Sequence, residues 1–174
     1  MIDKVMKNIF IDWFYIRDKV YFGRGSHFIR VMIYAAMALC GFFLWCYLQP
    51  VEIIAIHQRE NYSDVLVKNF PFTDKGKINW WLDNKNNLKE KYGIPKPDSD
   101  GFFTIIFWDF GEGYKEAGKY DRMCFEDMKE KSNCIDKNKE LTVENDRHHD
   151  ILFTVSSGMY RMKKNGDITR YYLD

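Results

Sequence analysis

Hydrophobic and polar positions divide the chain into three stretches that follow different rules. Over residues 1–27 the apolar side chains recur at helical spacing. At 100° per residue Ile2, Val5, Met6, Ile9, Phe10, Trp13, Phe14, Ile16, Val20 and Tyr21 fall on one half of a helix. Lys4, Lys7, Asn8, Asp12, Asp18 and Lys19 fall opposite, and Asp3, Ile11 and Arg17 break the pattern. Such a helix would lie in a membrane interface, with Gly23-Arg24-Gly25-Ser26 as a hinge. An unstructured extension, or a start site assigned too far upstream, accounts for the stretch equally well.

The second stretch has no period, because from Val31 to Leu48 (VMIYAAMALCGFFLWCYL) nothing is charged. As a helix it would be about 27 Å long, close to the hydrocarbon thickness of a bilayer, and Phe28 and Ile29 extend it if Arg30 snorkels. Trp45 and Tyr47 sit where an aromatic belt belongs, and Pro50 stops the helix. A buried core helix is the competing reading, since 18 uncharged residues stand at the threshold for a span. A cleaved signal needs small residues, and Cys46-Tyr47-Leu48-Gln49-Pro50 offers none. The reading is a retained single-pass anchor over residues 28–49.

Beyond Pro50 the pattern turns to short alternating strands and turns. Residues 51–58 and 62–70 predict a hairpin around Arg59-Glu60-Asn61. A helix follows, capped by Thr73, with Ile78, Trp81, Leu82, Leu88 and Tyr92 as its apolar stripe and Gly93 and Pro95 as its stop. Gly101–Phe110 predicts the strongest strand, with a turn at Gly111-Glu112-Gly113 and a returning segment near Tyr120–Phe125. Further strands are predicted at 141–143 and 151–155. Residues 159–163 and 167–173 flank Asn165-Gly166, which signals a type I′ hairpin. One main helix among six to eight strands predicts an α+β fold: a single transmembrane helix followed by a small antiparallel-sheet domain over residues 50–174.

Charge fixes an orientation. Residues 1–50 carry six Lys/Arg against three Asp, and the remainder carries 20 basic against 22 acidic residues, so the two parts have net charges of +3 and −2. Arg17, Lys19, Arg24 and Arg30 precede the apolar run closely, whereas only Arg59 follows it closely. Positive residues are retained in the cytoplasm, so residues 1–27 are expected inside and the domain outside, in the periplasm of a bacterial inner membrane. A mildly acidic domain without a basic block argues against nucleic-acid binding, leaving the lipid bilayer and a protein as the expected partners.

PVEIIAIHQ, VLVKNFPFTDKGKINWWL, EKYGIPKPDSDGFF, FWDFGEGYKE and the segment around Cys124 and Cys134 together resemble an enterobacterial family of membrane proteins carried as a domain of unknown function. The resemblance covers most of residues 28–174 and implies a membrane anchor and an enterobacterial source. No activity is assigned to that family, so no functional residue carries over. Residues 1–27 exceed the family's short basic start.

Chemistry is sparse. Gly111, Gly113 and Gly118 do not open a helix, and Glu112 would repel a phosphate. Asp98-Ser99-Asp100 begins like a calcium loop, but Phe102 and Phe103 stand where a ligand and the turn glycine belong. His148 and His149, between Asp146 and Asp150, are adjacent and diverge, so a solvated loop is expected. His57, on a strand, is read as structural. No cofactor, metal or catalytic residue is predicted. Trp80, Trp108 and Tyr114 are the candidate binding surface, since aromatics concentrate at interaction hot spots.

Cys124 and Cys134 are the only cysteines outside the apolar run, and an oxidising compartment would join them. The function expected is a membrane-anchored, non-enzymatic periplasmic protein-binding module, of which an immunity-type protein is one form. Two alternatives remain. One is a structural subunit of an envelope assembly, its span packing through Ala35, Ala36, Ala38 and Gly41. The other is an envelope hydrolase using Asp98, Asp100, Asp109 and His148.

Overall fold

The computed structural model describes residues 26–47 and 49–172, so the amphipathic reading of the N-terminal tail falls outside the described residues. The chain divides into two units, Met1–Leu48 and Gln49–Asp174. In the first, Ser26–Tyr47 forms one helix, α1. It begins five residues ahead of the uncharged run, and within it His27–Trp45 is long and apolar enough to cross a membrane, with none of that window buried.

The second unit is α+β. Its strands are β1 (Glu52–Arg59), β2 (Tyr62–Lys68), β3 (Thr104–Asp109), β4 (Arg122–Cys124), β5 (Cys134–Asp136), β6 (Lys139–Asn145), β7 (Ile151–Val155), β8 (Gly158–Met162) and β9 (Ile168–Tyr171). Its helix, α2, is Asp74–Tyr92. Seven strands form one sheet in the order β1-β2-β3-β6-β7-β8-β9, and β4 and β5 form a separate ribbon. All neighbours in the large sheet are antiparallel except β2 and β3. A parallel pair needs a long crossover, and α2 supplies it. β2, with Ser63 to Val67 buried in succession, is covered on both faces, as strands of parallel pairs usually are.

The helix is bounded as its sequence dictates. Thr73, extended at φ −92° and ψ 146°, accepts from the Gly76 N–H at 3.1 Å. Gly93 ends it in the left-handed region at φ 69°, with its N–H on the Lys89 carbonyl and that of Ile94 on Leu88. Ile78, Trp81 and Leu88 are buried in the core, and Leu82 and Tyr92 pack at its edge. Lys77 also falls on the buried side, where its Nζ meets Glu140 Oε2 of β6 at 2.5 Å. Opposite lie Val65, Val67, Ile105, Phe107, Leu141, Val143, Phe153 and Val155 of the sheet.

Three predicted features differ. The segment near Tyr120–Phe125 does not return along β3. Its strand pairs with β5, which the sequence pattern did not reveal because a three-residue Cys134-Ile135-Asp136 strand has no readable period. The turn at Asn165-Gly166 is not type I′, which would need both residues at positive φ: only Gly166 is, at 89°. The Gly166 N–H instead reaches the Lys163 carbonyl, centring the turn on Lys164 and Asn165 and leaving Gly166 as the following left-handed residue. Asn165 is kept at negative φ while its carboxamide binds the Asp167 N–H and carboxylate. The sheet also contains the parallel β2–β3 pair, which an all-antiparallel reading omits.

Candidate functional site

The sheet face opposite α2 is covered over β1 to β3 by a lobe inserted between β3 and β6, residues 110–138. Phe125 and Ile135 of the lobe pack on Leu66 and Trp108, with Ala55, Ile106, Phe110, Tyr114, Met123 and Met128 around them. The lobe opens with a turn at Phe110–Gly113, whose glycines adopt φ 49° and 102°. It closes where the Asp109 N–H meets the Asn138 carbonyl. Cys124 and Cys134 face each other in the β4–β5 register, their sulfurs at the disulfide distance of 2.07 Å. That pairing ties the two sides of the loop carrying Asp127.

Beneath the lobe three polar side chains converge that are far apart in sequence. Alternation along β1 turns His57 to this face, where it is 6% exposed and stacked on the Phe125 ring at 3.8 Å and 12°. Its Nε2 lies 2.8 Å from the Tyr114 hydroxyl, and its Nδ1 lies 2.8 and 2.9 Å from the carboxylate oxygens of Asp127. Burial, and then the nearby Asp127 charge, raise the Tyr114 pKa above its ordinary value. The tautomer that satisfies both contacts has the phenol donate to Nε2 and the Nδ1–H donate to Asp127. In this order of Asp, His and Tyr each member is bonded to its neighbour. Chemically the trio acts as a staple between sheet and lobe.

A buried acid stands alongside. Asp64, 1% exposed and paired with His57 across the β1–β2 ladder, accepts from Trp108 Nε1 at 2.8 Å and from Arg59 at 3.2 Å. The lobe's outer side is ionic. Asp136 holds Lys115 at 2.6 Å and Arg122 at 3.2 Å, Lys115 also reaches Glu112, and Lys137 pairs with Asp121. Hydrogen bonds from Lys115 and then Arg122 hold the Asp136 carboxyl below its ordinary range, and those that Lys115 donates to Asp136 and Glu112 raise its own pKa.

The three aromatic candidates do not share one surface. Trp108 is buried with its N–H on Asp64, and Tyr114 is half-buried on His57. Trp80 lies on the other side of the sheet, edge-on to Phe70 and Phe107. Nor do the hydrolase candidates share one site: the Asp98–Asp100 turn lies beside the loop of His148 and His149, Phe102 stacking on His149, but Asp109 stands apart. Asp98 and Asp100 precede β3 and Asp109 ends it, so the strand keeps them roughly 17 Å apart. Asp98 is occupied in capping the N–H groups of Asp100 and Phe102, and Asp146 in capping those of His148 and Asp150. No cluster of three or more His, Cys, Asp or Glu able to hold a metal occurs among the described residues.

Sequence reasoning passed over Asp127 altogether and named His57 only as structural. A histidine at an inward position of an alternating strand was the available signal, since such a ring must find partners. Nothing local marks Asp127.

Residues 24–172 match the model of a family described as "Enterobacterial putative membrane protein (DUF943)". No curated protein and no solved structure matches the chain.

Proposed function

From the premise that the chain belongs to this enterobacterial membrane-protein family, we propose that it is a non-enzymatic, membrane-anchored binding module. Its domain stands in the periplasm, and its lobe meets a protein partner. The observation that supports this is how the His57, Tyr114 and Asp127 side chains are used. They converge between sheet and lobe, and they are bonded to one another rather than aimed at a substrate. Their consequence is a rigidly held lobe with an ionic outer side, an arrangement suited to presenting a surface. The excess of basic residues before the span supports the inward orientation of the tail.

Two experiments test this. Alkaline phosphatase fused after Asp174 should be active in cells; an inactive fusion with a fluorescent cytoplasmic reporter in its place overturns the orientation. A photo-crosslinking amino acid replacing Tyr120, which is exposed in the lobe, should trap one discrete envelope protein at stoichiometric yield in intact cells. Absence of any adduct from Tyr120 and from other exposed lobe positions overturns the binding role.

A further inference from the structure

We infer that Phe72 is a second membrane contact of the C-terminal domain, its ring seated in the lipid interface next to where the chain leaves α1. The inference rests on the reading that α1 spans the bilayer.

Phe72 is 93% exposed, more than any other large apolar side chain among the described residues of the domain, the next being Tyr172 at 69%. It is not displayed by a loose loop. Phe70, two residues earlier, turns inward to stack on Phe107 at 5.3 Å and meet Trp80 at 5.2 Å. Thr73, one residue later, is fixed as the cap of α2. Pro71 packs so closely on Gly76 that a Cβ there would come within 3.0 Å of the proline Cβ and 2.9 Å of Thr73 Oγ1. The residues flanking Phe72 are thus pinned, and its ring is held outward by a rigid platform. A fixed, exposed Phe leaves apolar surface in water unless something covers it.

Covalent connectivity identifies what covers it. The chain ends α1 at Tyr47 and starts β1 at Glu52. From Tyr47 to Pro50 three residue steps reach at most about 11 Å. β1 leaves that end and β2 returns to it, with Glu52 opposite Lys68. Asn69 then donates to the Pro50 carbonyl at 3.4 Å, and Phe72 follows three residues on. The headgroup layer adds several ångströms beyond the hydrocarbon core, so the loop at 69–73 is within reach of it. An aromatic ring is well suited to that layer, and Lys75, also exposed, suits anionic headgroups.

The test uses the full chain in vesicles of phosphatidylethanolamine and phosphatidylglycerol, with benzoylphenylalanine placed singly at position 39, 62 or 72. All three native side chains are exposed, so the probe does not disturb packing. Leu39 lies in α1, and Tyr62 lies at the far end of β2, about 20 Å along the strand from its Lys68 end. Illumination should give lipid adducts at positions 39 and 72 and only background at 62. Adducts at 39 but none at 72, equal yields at 62 and 72, or a protein–protein adduct at 72 in place of lipid overturn the inference while leaving the anchor standing. No lipid adduct at 39 removes the anchor, and the inference falls with it.

Discussion

The two faces of the sheet are held by different physics. On the α2 side a continuous apolar layer, Val65, Val67, Ile105, Phe107, Leu141, Val143 and Phe153, meets Ile78, Trp81 and Leu88, and each such residue contributes roughly 1.5–3 kcal/mol by leaving water. On the lobe side the apolar cluster has only four fully packed members, Leu66, Trp108, Phe125 and Ile135. Directional contacts supply the rest: the His57 staple, the Asp64 acceptor and the Cys124–Cys134 cross-link. Hydrophobic burial is tolerant of conditions that break polar contacts, whereas a staple depends on redox state and pH. The helix face should therefore behave as the permanent core and the lobe as the part that can be released.

The sharpest way to break this asymmetry is Phe107→Ala, which should cost about 3–5 kcal/mol because a fully buried ring in the middle of the helix face leaves a cavity. Urea unfolding followed by tryptophan fluorescence should show a lower midpoint for the domain as a whole. Removing the cross-link with Cys124→Ser and Cys134→Ser should cost about 2.7 kcal/mol for a loop of about eleven residues. Here the loss should be confined to the lobe. Hydrogen exchange should quicken over residues 110–138 and stay unchanged in α2; a uniform increase would show that the two faces are one cooperative unit.

Glu140→Gln tests the buried ion pair of the helix face. It leaves Lys77 buried without its carboxylate, for about 2 kcal/mol, and adding Lys77→Met should recover most of it. Tyr114→Phe should cost about 1 kcal/mol by leaving His57 Nε2 without a donor. It should also change the alkaline limit. Because the folded-state pKa of Tyr114 is raised, its contribution is complete below the ordinary tyrosine value of 10.0 and is lost as pH rises through the folded-state value. An ultraviolet titration should find one late-ionising tyrosine, absent in the variant.

The smallest effect is at acid pH. Asp136 has a folded-state pKa lowered from 3.8, so its pairing with Lys115 and Arg122 is complete above that value and is lost as pH falls through the folded-state one. Amide chemical shifts of β4 and β5 should move there and those of α2 should not, and Asp136→Asn should abolish the difference.

Where order was local, the sequence alone determined it. The uncharged run from Val31 requires a helix because every backbone group must bond within it once water is excluded. Thr73 and Gly93 bound α2 through their own side-chain and backbone chemistry, and β7 follows from the apolar run at Ile151–Val155. Tertiary structure alone decided the rest. Alternation says that His57 faces one side of a strand, not that a carboxylate 70 residues later will meet it. Aromatic richness suggested a surface at Trp80, Trp108 and Tyr114, yet packing put Trp108 in the core, because the lobe over it comes from a segment too short and irregular to show a period. The parallel β2–β3 pairing likewise depends on where α2 docks. Residue type and spacing encode bonds made within a few positions, while contacts between distant segments are chosen by the competition for buried surface across the whole chain.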